Sequence, residues 1–182
     1  MKAFHVKTFV LGLFVSGLMI GCAVATQSGD LKDFVRRQYR ESDIRLEDAG
    51  RQGYVVRRGA ILTLNADNVP ANALRVMPAT LHSAKPRTPA RHLYTYAPVV
   101  VRPDGSAPEG RGEFALPRGT RLAVLEHKVE RDRVRLLTHT VDRVRRGDGT
   151  MVYGCTEFIF PIGQPSDTTA VQRQIERVLS PA

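Results

Sequence analysis

The sequence predicts a mainly β fold of the α+β type: a small antiparallel, partly closed barrel or sheet with one short helix at each end. Two observations lead to this prediction. Short β-rich runs follow one another from residue 53 onward, separated by turns that contain glycine, proline or asparagine. Helical periodicity is confined to a stretch near each end. The 182 residues suffice for one ordinary domain with a core of its own.

The first 22 residues have the features of an export signal. Lys2 and Lys7 precede an apolar run, and the small residue Gly21 stands directly before Cys22. The apolar run is too short to span a bilayer as a folded helix, which favours a cleaved signal. An ordinary cleavage after Ala23-Val24-Ala25 and a retained anchor helix are the alternatives.

The ending Ile20-Gly21-Cys22 resembles the lipobox of bacterial lipoproteins. In that family the cysteine sulfur is lipidated, the chain is cut before the cysteine, and the new amine is acylated, commonly with palmitate. The resemblance implies a signal peptide over residues 1–21 and attachment to the membrane through lipidated Cys22. It also implies an outer-membrane location facing the periplasm, because Ala23 stands where an aspartate would retain such proteins at the inner membrane.

Residues 22–52 are predicted to hold the lipid anchor, a tether of small and polar residues up to Gly29, and a short amphipathic helix. Asp30 is suited to cap this helix. Its apolar stripe consists of Leu31, Phe34, Val35 and Tyr39. We expect the stripe to pack against the domain; the alternative is a helix that rests on the membrane with its arginines near the headgroups.

Residues 53–165 are predicted to form the β-rich domain, with an irregular, proline-containing loop over 78–91. The last third is predicted to be an antiparallel meander of three runs: Arg121 to Val129, Arg133 to Val144 and Met151 to Ile162. The segment 147–149 is a hairpin signal, because its glycines tolerate positive φ. An amphipathic helix capped by Asp167 is predicted over residues 166–182.

The run Gly119-Thr120-Arg121-Leu122-Ala123-Val124-Leu125, followed by Arg133-Val134-Arg135-Leu136, resembles the pattern of bacterial SH3-like domains. In those domains a Gly-Thr step, an apolar strand, a turn and a second apolar strand form part of a small barrel. The segment Tyr39 to Leu64 is similar to poorly characterised bacterial envelope proteins. Each resemblance covers part of the chain and implies a fold class, not an activity.

The formal net charge of +9 comes mainly from arginine. A basic chain raises nucleic acid as a partner, but an exported, membrane-anchored protein rarely meets any, so none is expected. The expected partners are the membrane and an envelope protein or cell-wall polymer. Because the arginines are scattered and interleaved with acidic residues, we expect a solvated surface. A polyanion-binding lipoprotein that uses its arginine-rich surface is an alternative.

Cys155 is the only cysteine left once Cys22 carries lipid, so no intramolecular disulfide is expected. The leading expectation for Cys155 is a buried, structural thiol. The alternative is a nucleophile of the kind that cell-wall hydrolases and transpeptidases use. The surrounding Tyr153-Gly154-Cys155-Thr156 lacks the Ser-His-Gly-Cys signature of the cysteine transpeptidases.

The predicted register of the meander gives Cys155 no catalytic base. With a two-residue turn at Asp148-Gly149, Asp142 stands opposite Cys155, and His139 falls on the other face of the sheet. His127, expected opposite Leu136 and on the Cys155 face, lies about 20 Å away at roughly 3.3 Å per residue. That separation is too long for proton transfer.

The same register places five polar or reactive residues on one face of the meander. They are Thr140, Asp142, Tyr153, Cys155 and Glu157. A shallow ligand groove and a solvated outer surface are the two interpretations of this face. The histidines, including His82 and His92, do not converge with other ligands as a zinc site requires, so no metal or other cofactor is expected. The sequence therefore favours a non-enzymatic binding or structural module.

Overall fold

A computed structural model of the protein describes residues 19–46, 53–57, 59–75, 90–104, 106–163 and 167–182. Residues 1–18 of the predicted signal peptide lie outside the described residues, as does most of the predicted loop over 78–91, with His82. No described helix is long and apolar enough to cross a membrane.

The described residues form three helices and thirteen strands. The helices are α1 (Met19–Gln38), α2 (Ala90–Leu93) and α3 (Thr168–Glu176). The strands are β1 (Asp43–Leu46), β2 (Gly53–Arg57), β3 (Ile61–Leu64), β4 (Val69–Ala73), β5 (Ala97–Val100), β6 (Glu109–Gly110), β7 (Phe114–Leu116), β8 (Arg121–Val129), β9 (Arg133–Thr140), β10 (Val144–Arg145), β11 (Met151–Val152), β12 (Gly154–Pro161) and β13 (Leu179–Pro181).

Nine of these strands form one sheet that curls into a half-barrel, which confirms the mainly β class. Seven strands follow the order β13-β3-β8-β9-β12-β4-β7. The free edge of β12 is shared, because β4 pairs with its first two residues and β5 with the next four. The β5–β12 pair is parallel, so the prediction of a purely antiparallel sheet is wrong at this point.

Strand β12 is buried on both faces of the sheet. On one face Phe158 and Phe160 join the main hydrophobic core, which α1 and α3 cover. On the other face Cys155 packs in a smaller cluster with residues such as Leu137 and Tyr94. Side chains alternate along a strand, so the two clusters divide the residues of β12 between them. The expectation of a solvated outer face is therefore wrong for this strand.

Helix α1 packs on the domain as expected, but it is longer than predicted. Leu31, Val35 and Tyr39 are buried in the main core, and Phe34 packs against it. The helix begins at Met19 and includes Cys22. Asp30 therefore lies inside the helix and is not its N-cap, and the segment expected to be a tether is helical.

Helix α3 is capped as predicted but ends earlier. The Asp167 side chain accepts a hydrogen bond from the Thr169 backbone N–H (2.9 Å), which satisfies one of the free donors of the first turn. The helix ends at Glu176, and the next residues form β13, which pairs with β3. The predicted helix over 166–182 is wrong at its C-terminal end, because pairing with the edge of β3 offers the backbone alternative hydrogen bonds.

The hairpin between β10 and β11 has a loop of three residues, 147–149, and not of two. The Arg146 backbone N–H donates to the Thr150 carbonyl (2.9 Å), and these residues flank the loop. Gly149 has a φ of +84°, the left-handed conformation that closes a three-residue hairpin loop. A loop with an odd number of residues shifts the pairing by one residue. The predicted faces of the two strands are therefore reversed.

The register shifts again between this hairpin and the main sheet. Three residues separate β9 from β10, whereas Tyr153 alone separates β11 from β12. Because of this unequal spacing, the register between β9 and β12 differs by two residues from the register between β10 and β11. As a result Cys155 pairs with His139, and the prediction that it stands opposite Asp142 is wrong.

Gly149→Ala tests the three-residue loop. We expect the free energy of unfolding to fall by about 1–2 kcal/mol, because a Cβ at Gly149 meets only open space and the left-handed backbone alone opposes it. Gly147→Ala is the matched control, since its Cβ also meets open space and its φ is not positive. Denaturant unfolding of both variants gives the comparison, and equal effects would contradict this loop geometry.

Candidate functional site

The five residues of the predicted ligand face do not converge. Cys155 and Glu157 lie on one face of β12, and Tyr153 packs against the same cluster as Cys155. Thr140 lies on the opposite face, where its hydroxyl accepts a hydrogen bond from a backbone N–H of β12 (2.9 Å). Asp142 lies beyond β9 on the surface and forms an ion pair with an arginine of β8 (2.7 Å). These five residues therefore form no shared groove.

Cys155 and His139 are direct cross-strand partners, contrary to the sequence prediction. Both residues are fully buried, and the Tyr153 ring stacks on the imidazole with ring centroids 5.0 Å apart. Burial, and next the negative charge of Glu157, raise the pKa of the Cys155 thiol. The expectation of a buried Cys155 is confirmed, and this environment disfavours the thiolate that nucleophilic catalysis needs.

His127 pairs with Leu136, as predicted, but it does not share the Cys155 face. Leu136 belongs to the main core and pairs with Phe158, whereas Cys155 belongs to the other cluster. The His127 Nδ1 atom lies 3.3 Å from a carboxylate oxygen of Glu41. His127 is therefore not a base for Cys155.

A group of largely buried charged side chains surrounds Glu157. Its carboxylate is fully buried and accepts two hydrogen bonds from the Arg135 guanidinium, at 2.6 and 3.1 Å. The Arg91 Nη1 atom lies 3.3 Å from the same carboxylate. The Arg91 Nε atom also donates to Glu126 (2.5 Å), and the Arg91 backbone N–H donates to the second oxygen of Glu126. We call Arg91, Glu126, Arg135 and Glu157 the ion cluster.

The register of the sheet explains how the ion cluster assembles. Glu126, Leu137 and Glu157 form one row across β8, β9 and β12. Arg135 lies two residues from Leu137 and therefore on the same face of β9. Arg91 approaches from α2, which packs against β8. Three neighbouring strands and one helical turn thus contribute one residue each.

The ion cluster is arranged to neutralise charge and not to transfer protons. Two guanidiniums face two carboxylates, and a bidentate pair such as Arg135–Glu157 is strongly favoured once both groups leave water. The Glu157 side chain is 0 % exposed, which leaves it no path to a substrate in solution. Burial, and next the charge of Glu157, also raise the pKa of the nearby Tyr96, so that phenol stays protonated.

Sequence reasoning missed three members of the ion cluster. Arg91 stood at the end of a predicted irregular loop, and nothing local connects it with Glu126 or Glu157. Glu126 and Arg135 carried a signal, because each is a charged residue inside a predicted strand. Such residues are usually solvated, and only the sheet register shows that these two face a buried carboxylate.

A cleft of about 310 Å³ lies between α3 and the end of β12, away from the ion cluster. The wall includes Pro103, Pro161, Ile162, Val171, Arg173 and Arg177. Arg177 donates a hydrogen bond to the Pro103 carbonyl (2.6 Å), and Gln174 donates to the Val101 carbonyl (2.8 Å). These two bonds hold the C-terminal part of α3 and the residue after it against the segment that follows β5.

Among the described residues no group of three or more histidine, cysteine or acidic side chains is placed to hold a metal ion. His92 is exposed at α2. The comparisons with protein-family models, curated proteins and solved structures find no match for this chain.

Glu157→Gln tests the ion cluster. We expect the free energy of unfolding to fall by about 3 kcal/mol, because the change leaves Arg91 and Arg135 facing each other across a neutral group. Glu109→Gln is the matched control: its ion pair with Arg102 is about half exposed, and such pairs contribute about 0–1 kcal/mol. Denaturant unfolding measures both, and a loss below about 1 kcal/mol in Glu157→Gln would contradict the assigned role.

Proposed function

We propose that this chain is a lipid-anchored protein of the bacterial cell envelope whose β-rich domain is a non-enzymatic binding or structural module. The observation that supports it most is the course of α1. This helix contains Cys22 of the lipobox-like sequence, and from Leu31 onward its apolar stripe is part of the hydrophobic core. An SH3-like relationship of the sheet and an outer-membrane location facing the periplasm belong to the same proposal.

The spacing along α1 keeps the domain near its anchor. Nine residues lead from Cys22 to Leu31, the first buried residue described in the helix. As helix they span about 14 Å at 1.5 Å per residue, and fully extended about 30 Å. Lipid on Cys22 therefore confines the domain to the layer next to the bilayer surface. Its partner is expected in the same layer, as another envelope protein or a cell-wall polymer.

The side chains best suited to catalysis support a non-enzymatic role. Cys155 and Glu157 are fully buried, and each is enclosed by side chains of the domain itself. A general base or nucleophile must reach the substrate, directly or through a water molecule. The cleft beside α3 is accessible by contrast, which favours binding over catalysis.

Cys22→Ala tests the anchor. We expect the wild-type chain to begin at Cys22, to carry the mass of its acyl groups and to remain with the membrane fraction. The variant should lose that mass, because the lipidated sulfur is gone. Cys155→Ala is the matched control and should keep both properties. Intact-mass spectrometry of fractionated envelopes measures them, and a wild-type chain without lipid would refute the anchor.

The alternative of a cell-wall hydrolase or transpeptidase requires a reactive Cys155. In Cys22→Ala the chain has a single thiol, so alkylation reports on Cys155 alone. We expect no modification of the folded domain within hours and rapid modification in denaturant, because the folded thiol is buried and its pKa is raised. Rapid alkylation without denaturant would revive the enzymatic alternative.

The alternative of a polyanion-binding lipoprotein requires exposed arginines that are not already held in ion pairs. Several in the sheet, such as Arg121 and Arg135, are held in ion pairs. Among the described residues, no carboxylate lies within ion-pair distance of Arg36, Arg37 or Arg40 in and after α1. Arg36 and Arg37 lie on α1, the element that also carries the proposed anchor, and are therefore candidates for polyanion binding.

A further inference from the structure

The cleft beside α3 is apolar over most of its wall and has the size of a small ligand. Ile162 and Val171 supply aliphatic surface, and Pro103 and Pro161 contribute rigid rings. Its volume of about 310 Å³ is at the lower end of the range for small-molecule sites.

Arg173 of α3 and Arg177, which follows the last residue of that helix, give the cleft a positive side. Arg173 and Arg177 are one helical turn apart and therefore on the same side of the helix. Among the described residues, no carboxylate lies within ion-pair distance of either one. The Pro103 carbonyl holds the Arg177 guanidinium in place through a single N–H, which leaves its other donors for a ligand.

The acidic residue at the cleft does not cancel this charge. The Asp167 carboxylate accepts the capping hydrogen bond from the Thr169 N–H and is thereby directed to the start of α3. The wall thus holds two guanidiniums and one carboxylate, which leaves an excess of one positive charge. An apolar wall with an excess of positive charge is complementary to a ligand that combines an apolar body with an anionic end.

We propose that the cleft between α3 and the end of β12 binds a small amphiphilic anion, an apolar chain that ends in a carboxylate. Pro103, Pro161, Ile162 and Val171 contact the chain, and Arg173 and Arg177 bind the carboxylate. This inference rests on the proposed function, because it assigns the ligand class of the binding module.

Octanoate is a suitable probe, since it has ten non-hydrogen atoms, a carboxylate and good solubility. Octanamide has the same size and shape without the charge, and acetate has the charge without the chain. The experiment is a ligand-observed NMR titration of the full chain carrying Cys22→Ala in detergent-free buffer. We expect a Kd of about 1 mM or tighter for octanoate. Binding should be at least tenfold weaker for octanamide, and no binding is expected for acetate.

Two variants assign the binding to the cleft. Arg173→Gln combined with Arg177→Gln should weaken octanoate binding about tenfold or more and leave octanamide unchanged, because glutamine keeps a donor for the Pro103 carbonyl. Ala170→Phe should abolish the binding of both probes by filling the cleft from an exposed position. Arg145→Gln is the matched control, since Arg145 is exposed on β10 and does not line the cleft.

The outcomes separate this inference from the proposed function. Absence of octanoate binding, equal binding of octanoate and octanamide, or full binding by the double arginine variant would each overturn the assigned ligand. None of these results tests the lipid anchor. The anchor is tested separately, by the mass of the wild-type chain. If the wild-type chain carries no lipid but the domain binds octanoate, the proposed anchor is wrong. The ligand class assigned to the cleft is then still supported.

Discussion

The rest of the structure depends on the burial of Glu157 in the middle of the curled sheet. A fully buried carboxylate is tolerated only when cations and hydrogen-bond donors surround it. Arg135 on β9 donates two hydrogen bonds to it, and Arg91 on α2 adds a second positive charge and also pairs with Glu126 on β8. One carboxylate thereby couples three neighbouring strands to a helical turn that follows a long connection. It also fixes which face of β12 carries the polar residues, so that Phe158 is directed into the main core.

The burial of these residues leaves ligand binding to other, exposed parts of the domain. Cys155 and Glu157 are enclosed by other side chains of the domain. These two residues, for which the sequence allowed a ligand groove or a solvated surface, therefore belong to the internal packing. Among the described residues, exposed arginines without an ion pair include those in and after α1 and the pair Arg173 and Arg177 at the end of α3. The first continues from the lipobox-like sequence, and the second borders an apolar cleft. We therefore place the proposed module's contact with the membrane at α1 and its ligand at α3.

Local features were predicted well from the sequence, and features that depend on register were not. The apolar stripe of α1, the Asp167 cap and the runs of β8 and β9 follow from side-chain spacing and capping chemistry within a few residues. The face on which Cys155 lies depended on one residue in a hairpin loop, because side chains alternate with a period of two. Its partner depended also on the unequal spacing between the hairpin and the main sheet. Arg91 could not be connected with Glu157, since no local pattern reports a contact over 66 positions of sequence.

By itself, the sequence determined the mainly β class and the buried stripe of the first helix. These depend on short-range periodicity, which neighbouring residues express directly. The proposed location in the cell envelope also rests on the sequence alone, on its basic N-terminal residues, its apolar run and Gly21-Cys22. Only the tertiary structure decided that His139 faces Cys155, that Glu157 is an internal ion-pair partner and that α3 borders a cleft. Each of these depends on how distant strands align, and that alignment is set by the joint packing of the two faces of β12.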